Sequence, residues 1–326
     1  MRKDEMLQGA RKLVVDCANV RKGENVLIIT DTDMPFSIAE ALAEACREKE
    51  AEPVITLMNP LRHAGNDPPA TIAEAMMKAQ VIFMVLSEGI FHSPSRIRAT
   101  QAGARGMTLA NFAEEDMMRG AIEANFLETR AMGERIGEAL RKAKEAHVTT
   151  QKGTDLYLDL RGTGQGVKVF TNLCQRPGEF GIMILEVATS PNVGTAQGTV
   201  VCDGSITFFK PGIIPKEPVY VTAKDGKVTG IKGGEEARRL ADGLAALKDP
   251  MVYNVAELGI GYNPKAKIVG RLAQDKGVYG TCHIGFGSNI TWGGKIKAAT
   301  HFDLLLYAPK IELDGKTILE DYKFYL

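Results

Sequence analysis

The sequence lacks any excess of charge. Its 326 residues carry 40 lysines and arginines against 40 aspartates and glutamates, a formal net charge of zero. Phosphate backbones are bound by an excess of Lys and Arg. This balance, with no block of like charges, excludes a broad nucleic-acid surface. Long apolar runs are missing too. Stretches such as Val81–Leu86 and Leu304–Tyr307 are strand-length, far short of the ~20 residues that cross a bilayer, so no membrane partner is expected. The start, Met1-Arg-Lys-Asp-Glu, has no apolar signal-peptide core, and a cytoplasmic location is the expectation. Cysteine is sparse and scattered (Cys17, Cys46, Cys174, Cys202 and Cys282), with no CxxC pair. That excludes a disulfide framework and leaves small buried thiols. Histidine is equally scarce: His63, His92, His147, His283 and His301.

What is present falls into two textures. At roughly 100–200 residues per domain, the length suggests two domains. In the first half, short apolar runs alternate with helical patterns. Val26–Thr30, Pro53–Met58, Val81–Ser87 and Met107–Ala110 read as strands. Pro35 opens a helix through about Glu48 with Ile38, Leu42 and Ala45 on one face, and Ile72 and Met76 sit at i, i+4 in another. Continuous apolar strands between helices predict a parallel sheet covered on both faces. After about residue 147 strand signals dominate, with one clear helix at 234–247 and Asp-Gly hairpin turns at Asp225-Gly226 and Asp314-Gly315. The expected architecture is α/β: a doubly wound, mostly parallel sheet over 1–150, then a β-rich α+β metal-binding domain over 151–326. The first half carries no phosphate signature, because Val26–Thr30 is followed by Asp-Thr-Asp-Met-Pro and not by GxGxxG or a P-loop. The glycine-rich Arg161–Gly166 joins two strands and reads as a hairpin turn.

Chemistry concentrates in the second half. His301 and Asp303 lie two apart on a strand pattern and therefore face one side, while Phe302 points the other way. Imidazole and carboxylate at the head of the apolar run Leu304–Leu306 need a partner, since an unpaired buried charge is costly. A local His–Asp ion pair would serve, and so would a metal. His283 precedes the glycine-rich turn Gly285-Phe-Gly287, where a ligand or backbone can approach closely. Glu257 is the only charge in Val255–Gly261, and Glu186 follows the apolar Gly181–Leu185 in the same way. Five possible ligands, each at the end of an apolar strand, favour a metal.

These segments resemble the thermophilic-type metalloaminopeptidases of peptidase family M29, the aminopeptidase T and aminopeptidase S group. The resemblance runs through essentially the whole chain. It implies a pair of divalent metals (two of Zn, Co or Mn) held by Glu186, Glu257, His283, His301 and Asp303, with Glu186 or Glu257 as general base. It also implies a homodimer acting on peptides. The tyrosine that this group leads one to expect soon after the first histidine has no counterpart, although Tyr262 and Tyr279 lie nearby. The same fold family includes 2,5-dihydroxypyridine 5,6-dioxygenases. There the resemblance implies one Fe(II) on His283, His301 and Asp303, a two-His-one-carboxylate set, and a small aromatic substrate. That branch's ring-binding histidines have no placed counterpart; His63 and His92 lie in the N-terminal half, and His92, in Phe91-His92-Ser93 after a strand end, is the candidate. A dinuclear aminopeptidase-like hydrolase is thus the leading expectation. The alternatives are the mononuclear ring-cleaving dioxygenase and a non-catalytic metal-binding module.

Overall fold

The computed structural model of the chain describes residues 2–62, 66–91 and 93–326. His63 and His92 lie outside the described residues. The fold is the expected mixture of a parallel α/β sheet and antiparallel β-rich sheets. Two compact units form, one from Met1–Thr129 and Phe170–Ile184, the other from Arg130–Val169 and Leu185–Leu326. The division differs from a single cut at residue 150, for two reasons. Strand β5 (Glu145–Thr149) already pairs within an antiparallel sheet of the second unit. The segment 170–184 returns to the first unit, where β8 (Phe180–Ile182) pairs in parallel with β4 (Arg105–Thr108).

The first unit is built on a parallel sheet in the order β2 (Glu52–Met58), β1 (Asn25–Asp31), β3 (Val81–Val85), β4, β8. Every residue of β3 is buried, as a strand covered on both faces requires. The edge strand β2 alternates and leaves Val54 and Leu57 exposed. The helix Phe36–Glu48 follows Pro35 and buries Ile38, Leu42 and Ala45, the predicted face. Ile72 and Met76 of the helix Ala70–Met76 pack into one core with Leu27, Ile29, Ile82 and Met84.

The second unit holds two antiparallel sheets. The larger contains β5, β6 (Asp155–Asp159), β10 (Gln197–Cys202), β11 (Val219–Lys224), β12 (Lys227–Lys232), β16 (Lys310–Leu313), β17 (Lys316–Glu320) and β18 (Lys323–Phe324). Both Asp-Gly turns form as predicted, with positive φ at Asp225, Gly226, Asp314 and Gly315. The smaller sheet runs β15 (His301–Leu306), β14 (Cys282–Gly287), β13 (Val255–Gly261), β9 (Glu186–Thr189), β7 (Lys168–Phe170). One expectation is corrected here. Arg161–Gly166 is not a hairpin turn, because β6 belongs to the larger sheet and β7 to the smaller, so the glycine-rich segment carries the chain between them. All five cysteines are buried free thiols. Among the described residues no helix is long and apolar enough to cross a membrane.

Candidate metal centre

The smaller sheet gathers the five predicted residues on one face. Its registers make this a matter of parity. Glu257 on β13 lies opposite Gly285 on β14, which in turn lies opposite Asp303 on β15. Two residues along, Gly259 faces His283, and Gly261 faces Glu186 on β9. Gly287 faces His301. Successive side chains point to opposite faces of a strand, so Glu186, Glu257, His283, His301 and Asp303 share one side. Phe302 and Phe286 share the other, stacked at 5.4 Å, as the sequence pattern requires.

Each of the five therefore stands across from a glycine. At two of those positions the space is occupied by the site itself. A Cβ on Gly259 would lie 1.9 Å from His283 Nε2. A Cβ on Gly285 would lie 2.7 Å from the Glu257 Cβ and 3.1 Å from Asp303 Oδ1. Large polar side chains can lean across the pleat only where the facing residue has no side chain.

Contacts sort the five into two groups that share Glu257: Glu186, Glu257 and His283, and Glu257, His301 and Asp303. His283 Nε2 lies 3.0 Å from Glu257 Oε1 and 3.3 Å from Glu186 Oε2. His301 Nε2 lies 2.8 Å from Glu257 Oε2 and 3.4 Å from Asp303 Oδ1. The trio His283, His301 and Asp303 is thus split, with Glu257 between the two imidazoles. His301 Nδ1 is 2.7 Å from the Ser288 carbonyl oxygen. Donation there fixes the tautomer and aims Nε2 at the carboxylates. Thr207 Oγ1 accepts from the Asp303 backbone N–H at 2.8 Å and donates to Asp303 Oδ2 at 3.3 Å. Glu186, Glu257, His283 and Asp303 are buried, and His301 alone reaches solvent.

One residue at the centre has no signal in the sequence. Lys276 follows the short helix Leu272–Asp275 and is buried. Its Nζ lies 3.3 Å from Glu257 Oε1, 3.3 Å from Asp303 Oδ2 and 3.5 Å from Glu186 Oε2. A buried ammonium needs such compensation. Its neighbour Asp275 pins the turn, accepting the N–H groups of Val269 and Gly270 and the Ser205 hydroxyl at 2.6 Å.

These charges set one another. Burial pushes the Glu257 carboxyl up, but the Lys276 ammonium and hydrogen bonds from His283 and His301 outweigh it and hold it well below the usual range. Asp303 is lowered in the same way, burial being outweighed first by Lys276 and then by His301. Burial and Lys276 oppose protonation of His283, yet Glu186 and Glu257 push it up to about 9. His301 is pushed up to about 10 by Asp303 and Glu257 against the effect of burial.

The donor set fits a divalent metal. Imidazole nitrogens and carboxylate oxygens are its common ligands. Glu186 Oε2, Glu257 Oε2 and Asp303 Oδ1 are buried and face imidazole nitrogens and the Lys276 ammonium, surroundings in which a carboxylate oxygen favours a cation. Of the tyrosines noted in the sequence, Tyr262 has its phenol pushed up by burial and by the charges of Glu134 and Glu186. Tyr262 is buried under Gly133, and Tyr279 packs edge-on against Phe324 at 5.1 Å.

Comparison with known proteins gives the chain's family. The family model described as 2,5-dihydroxypyridine 5,6-dioxygenase matches residues 6–325. A 2,5-dihydroxypyridine 5,6-dioxygenase of Pseudomonas putida KT2440 is 27% identical over 71% of this chain and 67% of its own. The solved structure of 2,5-dihydroxypyridine dioxygenase from the same organism superposes with a TM-score of 0.83 at 21% identity, over 99% of this chain and 97% of that one. AmpT from Thermus thermophilus superposes with a TM-score of 0.70 at 15% identity over the whole of both chains, a likeness of fold. Both branches of the resemblance drawn from the sequence are therefore represented, and the family match falls on the ring-cleaving one. The chain belongs to the 2,5-dihydroxypyridine 5,6-dioxygenase family, a family of enzymes.

Proposed function

We propose that the chain is a metal-dependent ring-cleaving dioxygenase acting on a dihydroxypyridine-type aromatic, in place of the dinuclear aminopeptidase expected first. The observation that carries this reading is the family match across 320 of the 326 residues, from 6 to 325. It is supported by a buried cluster whose donors suit one divalent ion. His283, His301 and Asp303 would hold that ion, two imidazoles and one carboxylate. A ferrous ion held there would supply the one-electron chemistry that lets O2 react with a closed-shell ring. Both oxygen atoms enter the cleaved ring, so no external reductant is consumed.

The chain's own residues do the rest. Glu257 lies between the imidazoles and orients both. Glu186 and Glu257 are the carboxylates placed to take the proton that a ring hydroxyl releases on binding. Lys276 keeps Glu257 and Asp303 ionised at neutral pH. Substrate approaches from the side of His301, the solvent-reaching member, where Trp292 stands edge-on at 6.5 Å between ring centroids. A small planar aromatic is the substrate class, and assembly as a homodimer belongs to the same proposal.

The test is direct. Protein loaded anaerobically with Fe(II) is mixed with 2,5-dihydroxypyridine, and O2 uptake is followed with an electrode. Uptake matched by loss of the ring chromophore is the expected result. Hydrolysis of amino-acid p-nitroanilides by the Co, Zn or Mn form, with no O2 uptake by the Fe(II) form, would restore the peptidase reading.

A further inference from the structure

The cluster has the outline of a two-cation site. It offers two groups of ligands that share Glu257. Yet one cation is already built into it. The Lys276 ammonium lies against Glu186 Oε2 and Glu257 Oε1, the same two oxygens that approach His283 Nε2. In the other group Glu257 Oε2 and Asp303 Oδ1 are not the oxygens that meet Lys276; they face His301 Nε2 at 2.8 and 3.4 Å. We propose that Lys276 takes the Glu186 and Glu257 oxygens that a second ion would need, so that both imidazoles are left to a single divalent ion and Lys276 is the residue that excludes another.

Three further observations support this. First, the backbone that carries the ammonium is held in place. The Lys276 N–H donates to the Leu272 carbonyl, the next carbonyl, Gly277, accepts from Asn263 at 2.7 Å, and Asp275 ties the preceding turn to Val269, Gly270 and Ser205. Second, the charges close. Three buried carboxylates, Glu186, Glu257 and Asp303, are balanced by one ammonium and one divalent ion. A second divalent ion beside the ammonium would leave an uncompensated buried positive charge, which is costly. Third, two cations side by side repel strongly away from water, so ammonium and metal compete for the oxygens of the Glu186 group. Lys276 is a positioning residue, acting through the carboxylates it holds. The inference rests on the cluster being a metal site, not on ring cleavage.

The experiment measures metal content with Mn2+ alone. Wild type, Lys276→Met, Lys276→Gln and Lys276→Arg are stripped, saturated with Mn2+, dialysed and assayed by mass spectrometry and electron paramagnetic resonance. Wild type and Lys276→Arg are expected to hold one ion per chain with an uncoupled spectrum. Lys276→Met and Lys276→Gln are expected to hold two, a doubling, with a spin-coupled spectrum and a rise in melting temperature on the second equivalent. Two coupled ions in wild type overturn the proposal without use of any variant. So does a content of one in the Met or Gln variant. Wild type that binds no Mn2+ removes the metal reading itself, and the proposal with it, a result distinct from either of those.

Discussion

The parallel sheet of the first unit and the smaller antiparallel sheet of the second are both buried, yet they use burial for different ends. Strand β3 reads Val-Ile-Phe-Met-Val and is apolar on both faces. Strand β13 reads Val-Ala-Glu-Leu-Gly-Ile-Gly and is equally buried along all seven residues. In β3 large side chains fill the space they meet. In β13 and β14 glycines empty that space, and carboxylates and imidazoles from neighbouring strands occupy it. A strand can therefore look like a core strand by hydropathy and still be half of a polar site. The difference lies in the residues opposite it. Substitutions in the two sheets should accordingly fail in different ways.

The largest effect is expected at His301. His301→Ala removes an imidazole whose Nε2 faces both Glu257 and Asp303. Loss of a metal ligand should cost at least the ~100-fold seen at the upper end for the outer partners of such ligands. Fe(II) retention after gel filtration and O2 uptake should both be lost, while the circular dichroism spectrum keeps its wild-type form. Full retention of either activity or metal would remove this residue from the centre.

The glycines and the core aromatics give the sharpest contrast. Gly259→Ala places a Cβ where the His283 ring now sits, 1.9 Å from Nε2, so the ring must move. Metal affinity should fall about 10- to 100-fold, as when a ligand's orientation is lost. Phe83→Ala in β3 empties a fully buried site and should cost about 3–5 kcal/mol of stability. Metal content per folded chain should then stay at the wild-type value. Isothermal titration with Mn2+ and urea unfolding, run on both variants, separate the two. If Phe83→Ala weakens metal binding as much as Gly259→Ala does, the division of labour between the sheets is wrong.

Much of this could be read before the strands were paired. Isolated charges in apolar runs marked Glu186 and Glu257, and the i, i+2 spacing placed His301 and Asp303 on one face with Phe302 behind them. The parallel sheet was legible because strand and helix periods alternate in β1 through β4. What could not be read depends on pairing. The role of Gly259 follows only from its register with His283. Arg161–Gly166 has the composition of a hairpin turn whether its flanking strands pair or diverge, and here they diverge into two sheets. Lys276 sits in Gln274-Asp275-Lys276-Gly277, a run with the texture of a solvated loop. Its burial comes from tertiary contacts with Glu186, Glu257 and Asp303, which local pattern does not encode.

Protons offer a gentler probe of the polar sheet. In the metal-free protein His283 and His301 bind their protons more tightly than an unfolded chain would, with values near 9 and 10 against about 6.5. A group whose folded value is raised contributes stability that is fully present below the unfolded value. That stability is lost as pH rises through the folded value. The apo protein should therefore lose thermal stability between about pH 6.5 and pH 10. Metal binding has the opposite sign, because an imidazole must shed its proton before it can ligate. The gap in melting temperature between Mn2+-loaded and apo protein should widen across the same window. A gap that stays flat would mean that the two imidazoles are not the groups the metal displaces protons from.

The smallest effect is expected at Glu186, and its smallness is the informative part. Glu186→Gln keeps size and hydrogen-bonding capacity but removes one of the three charges around Lys276. In a centre with two divalent ions, Glu186 is an essential ligand of the ion at the Glu186, Glu257, His283 group, and its loss should halve metal content. With Lys276 in that position, the carboxylate serves an ammonium that still has Glu257 and Asp303 within 3.3 Å. Metal content should then remain at one ion per chain, and affinity should change less than about tenfold, or ~1.4 kcal/mol. Measured beside Lys276→Met, this variant tells a missing ligand from a missing competitor. One removes a negative charge from the group and should leave the ion count alone, while the other removes the positive charge and should raise it.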